Sequence, residues 1–363
     1  MLRSPALIVL AILPVVALTV SLRSFATVPD SDSASIIIKP DRQFARDSYV
    51  HRPLSPDAEI DEKSDLWVAD LLSQIKTHYG KPTVNFDQYS PPVYIVGADQ
   101  PTVAVKAHRP HEPDWSFAPL QEAWDAVPLP DNFAPARGTD REAIIYQPST
   151  GRYWEFWLLE KTGRKVRNSA GQMKPEWRAA WGGKIENLAS NPGYYVTPPE
   201  GYRFGTAATG LALLGGLMTI DEQRSGVIEH ALHFAIPEAR AHVWTDPAQR
   251  TDGVRDDPDA IPQGATFRFP ADLDLDALDM DPYARMLAKA VQRYGMVLRD
   301  TAGAVAFYAE KPKSTRGSHP YYGKDGILRC PRLFRWSCSA SARLQGFPWE
   351  KLQALKTTPR SDD

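Results

Sequence analysis

The chain has only two cysteines, no excess of either charge and no apolar run long enough to cross a membrane. Its 363 residues carry 42 Lys and Arg against 44 Asp and Glu, a net charge of -2. That balance gives no electrostatic reason to expect nucleic acid or an anionic membrane as partner. HExxH, P-loop and GxGxxG patterns are all missing, so no cofactor and no metal is expected. Cys330 and Cys338 are close in sequence and have no Cys or His pair to complete a zinc ligand set. No segment repeats at a fixed period, which disfavours a propeller or solenoid.

What is present begins with an apolar stretch over 5–20, preceded by Arg3 and followed by the small-x-small site Ser24-Phe25-Ala26. The stretch is shorter than the roughly 20 residues of a membrane span and is interrupted by Pro14. It reads as a secretory signal peptide over 1–26, with no membrane association beyond it. Its removal takes away Arg3 and Arg23 and leaves a mature charge of -4. The expected location is secreted or cell-surface, where Cys330 and Cys338 would form a disulfide.

Four segments are expected: the signal peptide 1–26, a loosely ordered lead-in 27–62, a main domain 63–312, and a disulfide-pinned C-terminal extension 313–363. Ser64 is placed to cap a helix over 65–79, with Leu66, Ala69, Leu72 and Ile75 at helical spacing and Gly80 as its stop. Thr219 and Glu222 form a capping box ended by Gly226, and Asp281-Pro282 starts a helix that runs to Tyr294 and stops at Gly295. Short β-type runs lie at 93–96, 102–106, 227–237, 241–244 and 266–269, and 161–174 reads as a surface loop. Runs at 296–299 and 305–308 flank Asp300-Thr301-Ala302-Gly303, a hairpin signal. Many short strands with Gly and Pro turns predict a mainly β fold, an antiparallel, jelly-roll-like β-sandwich decorated by a few α-helices.

The segments PVYIVGADQPTVAVK, GTDREAIIYQPSTGRYWEFW, WRAAWGGKI, GVIEHALHFAIPEAR and QRYGMVLRDTAGAVAFYAE together resemble a family of secreted, largely actinobacterial proteins with a jelly-roll, concanavalin A-like type of domain. The resemblance covers most of the mature chain. It implies export and a compact β-rich domain of a class shared by many glycan-active proteins, and it assigns no catalytic residue.

The most informative segment is 139–159. Two β-rich runs, 142–147 and 152–159, flank the turn Pro148-Ser149-Thr150-Gly151. A tight turn pairs Gln147 with Arg152, Tyr146 with Tyr153, Ile144 with Glu155 and Glu142 with Trp157. Tyr146, Tyr153, Trp157, Glu142, Glu155 and Asp140 then share one surface, while Trp154, Phe156 and Leu158 point to the core. Flat rings beside acids suit a sugar, whose C–H face stacks on aromatics while its hydroxyls bond to carboxylates. A wet outer sheet face with scattered polar residues is the plainer reading.

The expected partner is a polysaccharide or cell-wall glycan, and the expected function is glycoside hydrolysis, which uses two carboxyls. Glu155 is the first candidate for acid or nucleophile, with Glu142, Asp140 and Asp252 as candidate partners. Arg250 would hold Asp252 ionised. Trp157, Tyr153, Tyr146 and Trp181 are candidate sugar platforms; Trp181 stands beside Gly182 and Gly183, which would let a ligand approach the backbone. A lyase would instead use His230 with a Tyr, Tyr294 or Tyr308, and Arg268 to neutralise a uronate. A core histidine is the plainer reading of His230. A non-catalytic glycan-binding module would keep the platform without the acid pair.

Overall fold

The computed structural model describes residues 43–112, 114–196, 203–313, 319–330 and 339–361. The signal peptide, lead-in residues 27–42 and Cys338 lie outside them. Cys330 is buried, but the expected pairing with Cys338 falls outside the described residues.

The helices end where their local chemistry says they should. Helix α1 (Ser64–Gln74) runs on through a π-helical turn, Ile75–Tyr79, to Gly80, whose positive φ of 75° ends it. Ser64 does not cap it; the Ser64 hydroxyl accepts the Ala354 N–H instead. The expected apolar stripe also differs: Leu66 and Leu72 are exposed, and Trp67, Val68 and Leu71 face the core because the larger indole takes the buried side. Helix α2 (Ala118–Trp124) follows, then α3 (Ile220–Ser225), whose Thr219–Glu222 capping box is complete. In α4 (Pro282–Tyr294) the Asp281 carboxylate accepts the Tyr283 N–H at 2.8 Å.

The strands are β1 (Thr83–Asn85), β2 (Val93–Ile95), β3 (Val105–Ala107), β4 (Ala143–Gln147), β5 (Arg152–Trp157), β6 (Glu160–Arg167), β7 (Met173–Ala179), β8 (Trp181–Ile185), β9 (Leu232–Ile236), β10 (Val243–Thr245), β11 (Thr266–Arg268), β12 (Met296–Thr301), β13 (Ala306–Tyr308), β14 (Gln353–Ala354) and β15 (Pro359–Ser361). They form sheets ordered β1-β13-β9-β12-β11-β14, β2-β4-β5-β8, β3-β7-β6 and β10-β15. The fold is mainly β, as expected, but the sheets are mixed: β1 with β13, β9 with β12, β2 with β4 and β3 with β7 run parallel. A wholly antiparallel sandwich does not describe it.

Three local expectations give way to long-range pairing. Strands β12 and β13 are not a hairpin, because β9 inserts between them, parallel to one and antiparallel to the other. Residues 161–174 are not a loop; β6 and β7 pair across them. The C-terminal residues are not an appendage, since β14 extends the six-stranded sheet and β15 pairs with β10. The lead-in is likewise anchored from Phe44 and Val50 onward, both buried.

Alternation along the strands sorts the core into layers. Phe234, Leu298, Phe307 and Phe267 of the six-stranded sheet meet α1 and α4 on one side. On its other side, Ala235 and Tyr308 meet Ile144, Tyr146 and Tyr153 of the four-stranded sheet. The far face of that second sheet, with Ile145, Trp154 and Phe156, packs on α2 and on Trp177 of the three-stranded sheet. Among the described residues no helix is long and apolar enough to cross a membrane.

Candidate active site

The 139–159 hairpin forms in the expected register: Gln147 pairs with Arg152, Tyr146 with Tyr153 and Ile144 with Glu155, and the Gly151 N–H closes the turn on the Gln147 carbonyl at 2.9 Å. Beyond Ala143 and Phe156 the ladder breaks. Arg141 takes a positive φ of 45°, and Leu158 N–H bonds to the Asp140 carbonyl. Tyr146, Tyr153 and Glu155 do share a face, but that face is dry, because the six-stranded sheet and the 213–216 turn cover it.

Burial corrects the role expected for Glu155. Its side chain is wholly enclosed and its carboxylate accepts the Tyr153 hydroxyl at 2.5 Å, the Thr206 N–H at 2.7 Å, the Thr206 hydroxyl at 3.2 Å and the Leu213 N–H at 3.0 Å. It ties β5 to the two loops that cover it and does not line the large cleft between the sheets. Tyr146 and Tyr153 are core residues for the same reason. His230 is fully buried, with Nδ1 2.7 Å from the Ala231 carbonyl and Nε2 3.4 Å from Glu222. Arg268 is spent on the carbonyls of Ser55 and Pro56 at 2.6 and 2.8 Å. Tyr294 is buried in a cluster that includes Ala231, next to His230. Of the lyase set of His230, Tyr294 or Tyr308, and Arg268, only Tyr308 lines a cleft between the six- and four-stranded sheets.

The other candidates do meet. Where the hairpin ladder ends, the gap between the six- and four-stranded sheets opens into a cleft of about 1250 Å³ whose lining includes Asp140, Glu142, Trp157, Trp181, Arg250 and Asp252. Glu142 keeps the inward parity of Ile144 and Tyr146, so it enters the cleft from one sheet. From the other come Arg299, Asp300 and Tyr308.

Glu142 is the most unusual group there. Its side chain is 6% exposed, yet no described residue donates a hydrogen bond to its carboxyl, and its nearest cation, Arg299 Nη2, is 4.0 Å away. Burial pushes its pKa up to about 8; Arg299 opposes the rise, while Asp140 and Asp300 add to it. Burial also lifts Asp300 to about 7, against Arg299 and the N–H of Thr301. The Arg299 guanidinium lies 3.6 Å from the centroid of the Tyr308 ring, and its Nε and Nη1 are enclosed without a hydrogen-bond partner.

Hydrogen bonds and strand register frame this centre. Trp157 Nε1–H donates to Asp140 Oδ1 at 3.4 Å, and Trp157 lies opposite Trp181 in the β5–β8 register. Asp252 accepts from Gln263 Nε2 at 2.6 Å and from the Thr301 hydroxyl at 2.9 Å. Arg250 does not pair with it as expected; its guanidinium donates to the carbonyls of Arg203, Phe204, Gly205 and Ala207, and burial lowers its pKa to about 10. The glycines beside Trp181 serve the protein, not a ligand: a Cβ on Gly182 would strike the Glu155 carbonyl, and one on Gly183 the Tyr195 ring. Among the described residues no group of three or more His, Cys, Asp or Glu side chains converges as metal ligands.

Sequence reasoning did not assign Arg299 and Asp300 to the site. The available signal was the charged pair ending an otherwise apolar run, MVLRD, in which Arg299 reads as the end of a strand and Asp300 as the start of a turn. Comparison with protein-family models, curated proteins and solved structures returned no match, so the family resemblance rests on the quoted segments alone.

Proposed function

We propose that this protein is an exported polysaccharide-active enzyme, a glycoside hydrolase in which Glu142 takes the general-acid role first expected of Glu155. The observation that carries the reading is the lone Glu142 carboxyl, nearly buried yet facing a large cleft, with a pKa near 8. At pH 7 such a carboxyl holds its proton and can give it to a glycosidic oxygen, the task for which glycosidases raise one acid above the other. Asp140, held by Trp157 on the same wall, is the partner that acts as nucleophile or activates water. Trp157 and Trp181 supply flat faces for sugar rings, and a cleft of this size accommodates more than one ring.

The test is to screen the protein lacking residues 1–26 against bacterial and plant cell-wall polysaccharides, reading both new reducing ends and unsaturated products. New reducing ends without unsaturation are expected. In Glu142→Gln turnover should drop by about 10² to 10⁴, typical for loss of an acid–base group, and Asp140→Asn should fall comparably. Binding without turnover on any glycan would favour a non-catalytic module, and unsaturated products would favour elimination.

A further inference from the structure

The charges lining the cleft do not balance, and the imbalance bears on which glycan enters. Its arginines are all engaged. Arg109 lies 4.6 Å from the Trp115 ring centroid and bonds Glu112 at 3.1 Å. Arg250 is saturated by backbone carbonyls. Arg299 is 1% exposed and flattened on Tyr308. No lysine lines the cleft among the described residues. Of the arginines and lysines, an anionic sugar would therefore meet only Arg109, which is already paired with Glu112.

The acids are less fully matched. Glu112 pairs with Arg109, Asp87 stands 3.7 Å from Arg137, and both Asp252 oxygens accept hydrogen bonds. That leaves Asp140, which accepts the Trp157 N–H, Asp300, which accepts the Thr301 N–H, and Glu142, which accepts nothing from a described residue, with Arg299 as the main charge opposing Glu142 and Asp300. The Glu142 carboxyl is the least matched: with its side chain 6% exposed it lines the cleft and accepts nothing from any described residue.

We infer that the cleft takes a glycan bearing free amino groups, an N-unsubstituted hexosamine chain whose rings lie on Trp157 and Trp181 and whose ammonium is held by Asp140 and Asp300, leaving Glu142 protonated to act on the glycosidic oxygen. An ammonium brings three donors and a positive charge, where Asp140 and Asp300 are otherwise hydrogen-bonded by neutral groups. The neighbouring indoles favour it further through their negative faces. A uronate or sulfated sugar would set like charges together. The inference rests on reading the cleft as a glycan site.

The experiment is a titration followed by tryptophan fluorescence and calorimetry, with hexamers of glucosamine, N-acetylglucosamine, glucose and galacturonic acid, and with polylysine as an amine that is not a sugar. The glucosamine hexamer should bind about tenfold more tightly than the neutral hexamers, and added salt should narrow the gap. Asp300→Asn should reduce that preference while leaving affinity for the neutral chains. Equal or tighter binding of the neutral or galacturonate hexamer overturns the charge assignment and leaves the glycan reading standing. Binding of polylysine alone, or of none of the ligands, overturns both.

Discussion

Arg299 Nη2 stands 4.0 Å from Glu142 Oε1, near enough to attract the carboxylate but too far to donate a hydrogen bond to it. The pair thus moderates the charge of Glu142 without consuming its proton-donating capacity. Because Arg299 lowers the Glu142 pKa, its removal should raise it. Arg299→Met is expected to fold, since two of its buried nitrogens have no partner to lose. The basic limb of the pH–rate profile, set by deprotonation of Glu142 near pH 8, should move to higher pH. A limb that stays in place would detach Arg299 from the titration of the acid.

Glu155 and Glu142 should separate cleanly under the same change. Glu155→Gln turns one accepting oxygen into an amide donor facing groups that already donate, Leu213 N–H and the Tyr153 hydroxyl or the Thr206 N–H. A loss of about 2 to 3 kcal/mol is expected from unmatched buried donors, measured by denaturant unfolding. If Glu155→Gln kept full stability and lost turnover, Glu155 would return as the reacting carboxyl.

Stability itself should depend on pH in a stated direction. Burial raises Glu142 to about 8, Asp300 to about 7 and Glu310, a carboxyl after β13 that accepts the Ile220 N–H at the start of α3, to about 7. Groups raised in the folded state contribute stability that is complete below their unfolded values, near pH 4, and is lost as pH rises through 7 to 8. Tm by scanning fluorimetry should fall between pH 5 and about 8.5, and Asp300→Asn combined with Glu310→Gln should flatten the slope. A Tm that climbs over this interval would contradict the assigned protonation states.

Trp157 is only half-buried and holds Asp140 through its indole N–H. Trp157→Ala should raise KM for an identified glycan and lower kcat through the freed Asp140, with Tm changed by a few degrees. A stability loss of about 3 to 5 kcal/mol, the cost of a core aromatic, would make it a packing residue.

Local chemistry was enough to define the ends of α4, with Asp281, Pro282 and Gly295, and the capping box of α3. It also set the pairing of 147 with 152, because a four-residue turn leaves one tight register. These features depend on residues a few positions apart, and their hydrogen bonds close without help from the rest of the chain. Whether the face carrying Tyr153 and Glu155 meets water or another sheet depends on β9, β12 and β13, more than seventy residues away in sequence. The alternation that put Glu142 and Glu155 on one face could not say that one would be sealed by Leu213 and Thr206 and the other left at the open edge. Nor could a local turn signal reveal that β9 would slip between β12 and β13. Tertiary packing made that choice, since strand partners are selected by burial of whole faces, and it thereby brought Arg299 and Asp300 to Glu142.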